Sequence, residues 1–155
     1  MKKTDTIANM ETAARKLTGR NVTIRIREPL NTHARGETYN AGSGRVVVDL
    51  APEVFNDLRG FIRTFTHELA HVKLHAAAAP VVDVDRKPGA VKVSAAVMTL
   101  ATKAQKFSQR ESEAEALADT WRKAIYSQYF IPADCPISDR DFIRMLRILY
   151  TYTGV

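Results

Sequence analysis

A single cysteine, Cys135, in 155 residues excludes an intramolecular disulfide and leaves any metal to histidine and carboxylate ligands. That scarcity fits a reducing compartment. Long apolar runs are also missing: no stretch approaches the roughly 20 apolar residues of a membrane span. Met1 to Lys16 is polar where a secretory signal would be apolar. The expectation is a cytoplasmic protein with no membrane partner. Acidic residues are the minority, 17 Asp and Glu against 23 Lys and Arg, for a formal charge of +6. An excess of this sign favours an acidic partner or nucleic acid, but the basic residues are scattered. Arg140, Arg144 and Arg147 fall at helical spacing, where a solvated helix face accounts for them. Nucleic acid is left open as a partner, and nothing in the sequence sets an oligomeric state.

What is present is ordinary globular material, 45% apolar and 26% charged, with no repeat or linker to divide it. A single domain over 1–155 is expected. Ile7, Met10, Ala14 and Leu17 recur at helical spacing and predict a helix over Asp5 to Leu17, stopped by Gly19. The period then changes to two through Val22, Ile24 and Ile26, which predicts a strand. A short strand around Thr38 to Asn40, a turn at Gly42-Ser43-Gly44 and a firm strand over Arg45 to Leu50 follow, then a helical turn near Pro52. From Leu58, the residues Phe61, Ile62, Phe65, Leu69, Val72 and Ala76 mark a long amphipathic helix. Val81 to Pro88 reads as a loop, Val93 to Leu100 as one helix and Ser108 to Tyr129 as another. A last helix is capped by Ser138 or Asp139, with Phe142, Met145, Leu146 and Leu149 inward. The fold class is α+β, a small twisted sheet packed on helices.

The chemistry is concentrated in His67-Glu68-Leu69-Ala70-His71, which falls on the long helix. Residues four apart on a helix lie about 40° apart, so His67 and His71 project side by side and can share one metal ion. Zinc suits such a site: it accepts two imidazoles and one carboxylate and leaves a fourth position for water. Glu68 is too close along the helix to join as an equal ligand. It can reach the water, take its proton and pass it to a leaving amine, as general base and then general acid.

The third ligand must come from elsewhere. His75, one turn beyond His71, climbs too far along the same axis to close a tetrahedron. The long metzincin pattern would need Gly and His where Leu74 and Ala77 stand. The acidic run from Glu111 to Asp119 is the remaining source. Of its carboxylates Glu111 lies about 60° from the centre of the apolar face, whereas Glu113 and Glu115 lie about 100° away on opposite sides. Glu111 is thus the favoured metal ligand, with Glu115 accepting the second ring N–H of a ligating histidine. In the alternative register Glu115 is the ligand and Asp119 its support. Ala114 and Ala118 are small enough for the two helices to approach closely. Tyr39 and His33, before the Arg45 strand, are candidates for stabilising an oxyanion.

Thr66 to His71, followed by Leu74-His75 and by Glu111, Ala114, Glu115, Leu117 and Ala118, resembles the two motifs of the ImmA/IrrE-like gluzincin metallopeptidases. The resemblance covers about residues 20 to 120. It implies a minimal zincin-like domain, zinc as cofactor and a protein or peptide substrate, with a repressor of a phage or mobile element as one such target. It also implies that the Arg45 to Leu50 strand is the edge strand over the cleft. The Glu-x-x-Ala-Glu form is similar as well to the peptidase domain of ArdC-type antirestriction proteins. The rival from another class is accordingly a DNA-associated protein of a mobile element that keeps zinc for structure or as a relic.

Overall fold

A computed structural model describes residues 3–29, 34–75 and 96–154, with backbone alone at 3, 4 and 96–104. The described residues form a mixed α+β fold of four helices and a three-stranded sheet. The first helix, α1 (Lys3–Thr18), buries Met10, Ala13, Ala14 and Leu17. It ends where Gly19 adopts a left-handed φ of +70° and its N–H returns to the Arg15 carbonyl at 2.9 Å, a cap open to glycine at little cost.

The sheet comprises β1 (Asn21–Ile26), β2 (Gly36–Gly42) and β3 (Arg45–Leu50) in the order β1-β3-β2. β3 pairs parallel with β1 and antiparallel with β2. The β2–β3 turn passes through Gly42, Ser43 and Gly44, all at positive φ, with a register shift between Asn40 and Gly42. Arg45 to Leu50 is therefore the central strand, and the expectation of an edge position is corrected. Five of its six residues are buried, as befits a strand paired on both sides, and the edge facing the metal-motif helix is β2.

A 3₁₀ turn over Pro52–Asn56 leads into α2 (Leu58–His75), whose Leu58, Phe61, Ile62, Phe65, Leu69 and Val72 form the centre of the core. The Phe61 ring lies 5.1 Å from Phe55, 5.0 Å from Phe65 and 5.2 Å from Phe142, linking the turn, the helix and the C-terminal element. Against α2 packs α3 (Ala96–Tyr126) through Ala114, Ala118, Trp121 and Ile125. One helix stands where two were expected: no glycine or proline interrupts Ala96 to Tyr126, and residues 105–109, mostly polar but including Phe107, remain on its exposed surface. Ala76, the Val81 to Pro88 loop and Val93 lie outside the described residues. The last helix, α4 (Asp139–Thr151), is capped by Ser138, whose Oγ accepts from the Asp141 N–H at 3.2 Å. It buries Phe142, Met145, Leu146, Ile148 and Leu149, while Arg140, Arg144 and Arg147 are exposed. No described helix is long and apolar enough to cross a membrane.

Candidate metal centre

The close approach of α2 and α3 brings His67, His71 and Glu111 into one cluster. His67 Nε2 lies 2.8 Å from Glu111 Oε2, His71 Nε2 lies 2.9 Å from Glu111 Oε1, and the two Nε2 atoms are 3.2 Å apart. In a tetrahedral zinc site with bonds of about 2.0–2.1 Å, neighbouring ligand atoms stand about 3.4 Å apart. The cluster matches that spacing after slight expansion.

The outer nitrogens decide what the inner ones can be. His67 Nδ1 is 2.8 Å from Glu115 Oε2. A carboxylate only accepts, so Nδ1 carries the hydrogen and a neutral His67 presents a lone pair at Nε2. On the other side, Glu113 Oε2 is 3.2 Å from His75 Nε2, and His75 Nδ1 is 3.1 Å from His71 Nδ1. His75 is buried, and burial holds its pKa below the ordinary value. A neutral His75 that donates from Nε2 to Glu113 accepts at Nδ1 from His71, and His71 then presents its own lone pair at Nε2. With both rings neutral, two lone pairs would face the oxygens of one carboxylate, a conflict that a cation between them removes.

Without a metal the cation is a proton. The Glu111 hydrogen bond, opposed by burial, raises the His67 pKa from 6.5 to about 9. His67 and His71 together hold the Glu111 carboxyl well below the usual carboxylate range. A divalent ion bound by Nε2, Nε2 and a carboxylate oxygen does the same work without protonating the rings. These residues therefore fit zinc by number, type and spacing.

Glu68 faces β2. Its Oε2 accepts from Thr38 Oγ1 at 2.5 Å, and Thr38 Oγ1 also lies 3.3 Å from the Glu68 backbone carbonyl. Gly36 permits this contact, because a Cβ there would stand 2.9 Å from Glu68 Cγ and 3.0 Å from Thr64 Cγ2. Burial raises the Glu68 pKa, while the Thr38 hydrogen bond and the neighbouring histidines lower it.

Glu115 stands beside His67 and is held by Arg122, whose Nη1 donates to Oε1 at 2.6 Å. Arg122 Nε in turn donates to Thr66 Oγ1 at 3.0 Å, and that hydroxyl donates to the Ile62 carbonyl at 2.6 Å. Asp119, the supporting group of the alternative register, instead pairs with Lys123 at 3.1 Å. Tyr39 is corrected: residues alternate across a strand, so it faces away from Thr38 and Glu68, and Arg25 lies over its ring at 5.5 Å. His33 lies outside the described residues.

Thr38, Arg122 and the support of His71 by His75 and Glu113 were not anticipated. His75 at four residues from His71, and Arg122 at seven from Glu115, carry the helical spacing that points to the same groove. Thr38 carried no such signal. Comparison of the chain with protein-family models, curated proteins and solved structures returned no match.

Proposed function

We propose that the protein is a zinc-dependent metallopeptidase of minimal zincin type, with His67, His71 and Glu111 as metal ligands and Glu68 as general base. The observation that carries the reading is the convergence of two imidazole nitrogens on the two oxygens of one carboxylate, each ring held from behind by a separate partner. When bound, zinc supplies Lewis acidity, polarising a carbonyl and bringing the ionisation of water towards neutral pH.

The remaining chemistry belongs to the chain. Thr38 Oγ1 occupies Glu68 Oε2 and orients the carboxylate. The carboxylate so held takes the proton of the attacking water and delivers it to the departing amine nitrogen. The new C–O bond forms first, and the amide C–N bond of the resulting tetrahedral carbon then breaks as its nitrogen receives that proton. β2 lies at the sheet edge beside Glu68, where an extended peptide would add as a further strand. The resemblance to ImmA/IrrE-like peptidases extends the proposal to a regulatory protein, such as a repressor of a phage or mobile element, as substrate.

Metal content by mass spectrometry and hydrolysis of a peptide library test this together. One zinc per chain should be retained in Glu68→Gln and lost in His67→Ala and Glu111→Ala, and hydrolysis should vanish in all three. A wild type that stays metal-free when offered zinc, or ligand variants with undiminished zinc, would overturn the site. Zinc binding without hydrolysis of any peptide would leave the metal structural.

A further inference from the structure

The groove between α2 and α3 continues past the metal cluster. Arg59, Arg63, His67, His71 and His75 recur every fourth residue on α2, opposite Glu111, Glu115, Asp119 and Lys123 on α3. One end of this stripe pairs imidazoles with carboxylates. The other opens into a cavity of about 280 Å³ lined by Arg59, Arg63, Asp119, Arg122, Lys123 and Tyr126.

Charge in this cavity is unbalanced. Asp119 is taken by Lys123, and Arg122 is matched by Glu115 outside the cavity. Arg59 and Arg63 have no carboxylate partner among the described residues, so two positive charges are left uncompensated along one helix face. Arg59 is held in place over the Tyr126 ring, 5.1 Å from its centroid, rather than by an anion. Arg122 also lines the cavity, and its Nη2 is buried with no partner among the described residues. A guanidinium N–H left unmade is costly, and like charges one turn apart repel.

We propose that this cavity binds a phosphate group. A phosphate dianion matches the two uncompensated charges, and its oxygens suit the planar donor forks of Arg59 and Arg63. The volume lies just under the range of about 300–1,000 Å³ typical of drug-sized ligands, which suits a phosphate ion or a small phosphomonoester. The site is distinct from the metal centre and does not depend on peptidase activity.

Isothermal titration of the full chain with inorganic phosphate, at ionic strength held constant with chloride, tests it. One phosphate per chain is expected. Arg59→Gln and Arg63→Gln should each bind about tenfold more weakly, the loss of one charge-assisted hydrogen bond. Both positions are exposed, so circular dichroism and zinc content should match wild type. Phosphate can also ligate zinc, so His67→Ala is titrated in parallel and should keep its phosphate affinity. Adenosine monophosphate binding as well as inorganic phosphate identifies the free ion as ligand, and tighter binding identifies the ester. Absence of saturable binding overturns the proposal, as does binding that is lost in His67→Ala and intact in both arginine variants.

Discussion

Replacing Glu115 by alanine separates a supporting role from a ligating one. The carboxylate touches His67 Nδ1 at 2.8 Å and Arg122 Nη1 at 2.6 Å, and it makes no contact with the Nε2 atoms that face Glu111. Its loss should free the His67 ring to rotate and to place its hydrogen on either nitrogen. Removing such a partner typically weakens metal binding about 10–100-fold, or about 1.4–2.8 kcal/mol. Glu115 is half exposed, so solvent screens it and the lower end, about tenfold, is expected. Arg122→Ala acts through the same carboxylate, so the double variant should bind little worse than Glu115→Ala alone. Asp119→Ala should leave affinity unchanged, because Asp119 pairs only with Lys123. Competition against a chromogenic chelator at neutral pH measures all four variants. Stoichiometric zinc binding abolished in Glu115→Ala would make Glu115 a ligand, and unchanged affinity would make its bond to His67 incidental. Either result refutes the arrangement argued here.

The metal-free protein should respond to pH in the opposite sense to the zinc form. The His67 pKa is raised on folding from 6.5 to about 9, so its contribution is complete below about pH 6.5 and fades as pH rises through 9. Zinc displaces that proton, so stabilisation by zinc should grow over the same window. Thermal unfolding with chelator and with zinc checks both signs. Gly36→Ala should keep zinc but lower peptide turnover by up to about a hundredfold, because its Cβ pushes β2 away from Glu68. Wild-type turnover in that variant would argue against Glu68 as base or against the role of Thr38. Phe61→Ala, at the meeting of four aromatic rings, should cost about 3–5 kcal/mol by denaturant unfolding, whether or not zinc is present.

What could be read in advance was the part governed by local periodicity. The spacing of His67 and His71 on an amphipathic helix, and the inward angle of Glu111, follow from single helices, and the structure brings these three residues together. The Ser138 cap and the inward residues of α4 are local in the same way. The strand order was not local. Val46-Val47-Val48 is a continuous apolar run of the kind that strands buried on both faces carry, and it was assigned to the edge by resemblance instead. The continuity of α3 was hidden because its middle is polar, without an apolar stripe or a breaker to mark it.

The least legible feature is why the two helices meet closely enough for Glu111 to reach both histidines. Ala114 and Ala118 are fully buried on the face of α3 that meets α2, while Glu111 and Glu115 flank them one turn apart. Small side chains let the backbones approach, so Glu111 spans His67 and His71, and Glu115 reaches the far nitrogen of His67. Thr66 and Arg122 then tie the helices on the same side, from a hydroxyl one residue before the first histidine to a guanidinium two turns past Glu115. Each of these residues has an ordinary surface or core explanation when read alone. Only their meeting across the groove turns two histidines, four further polar side chains and two alanines into a site.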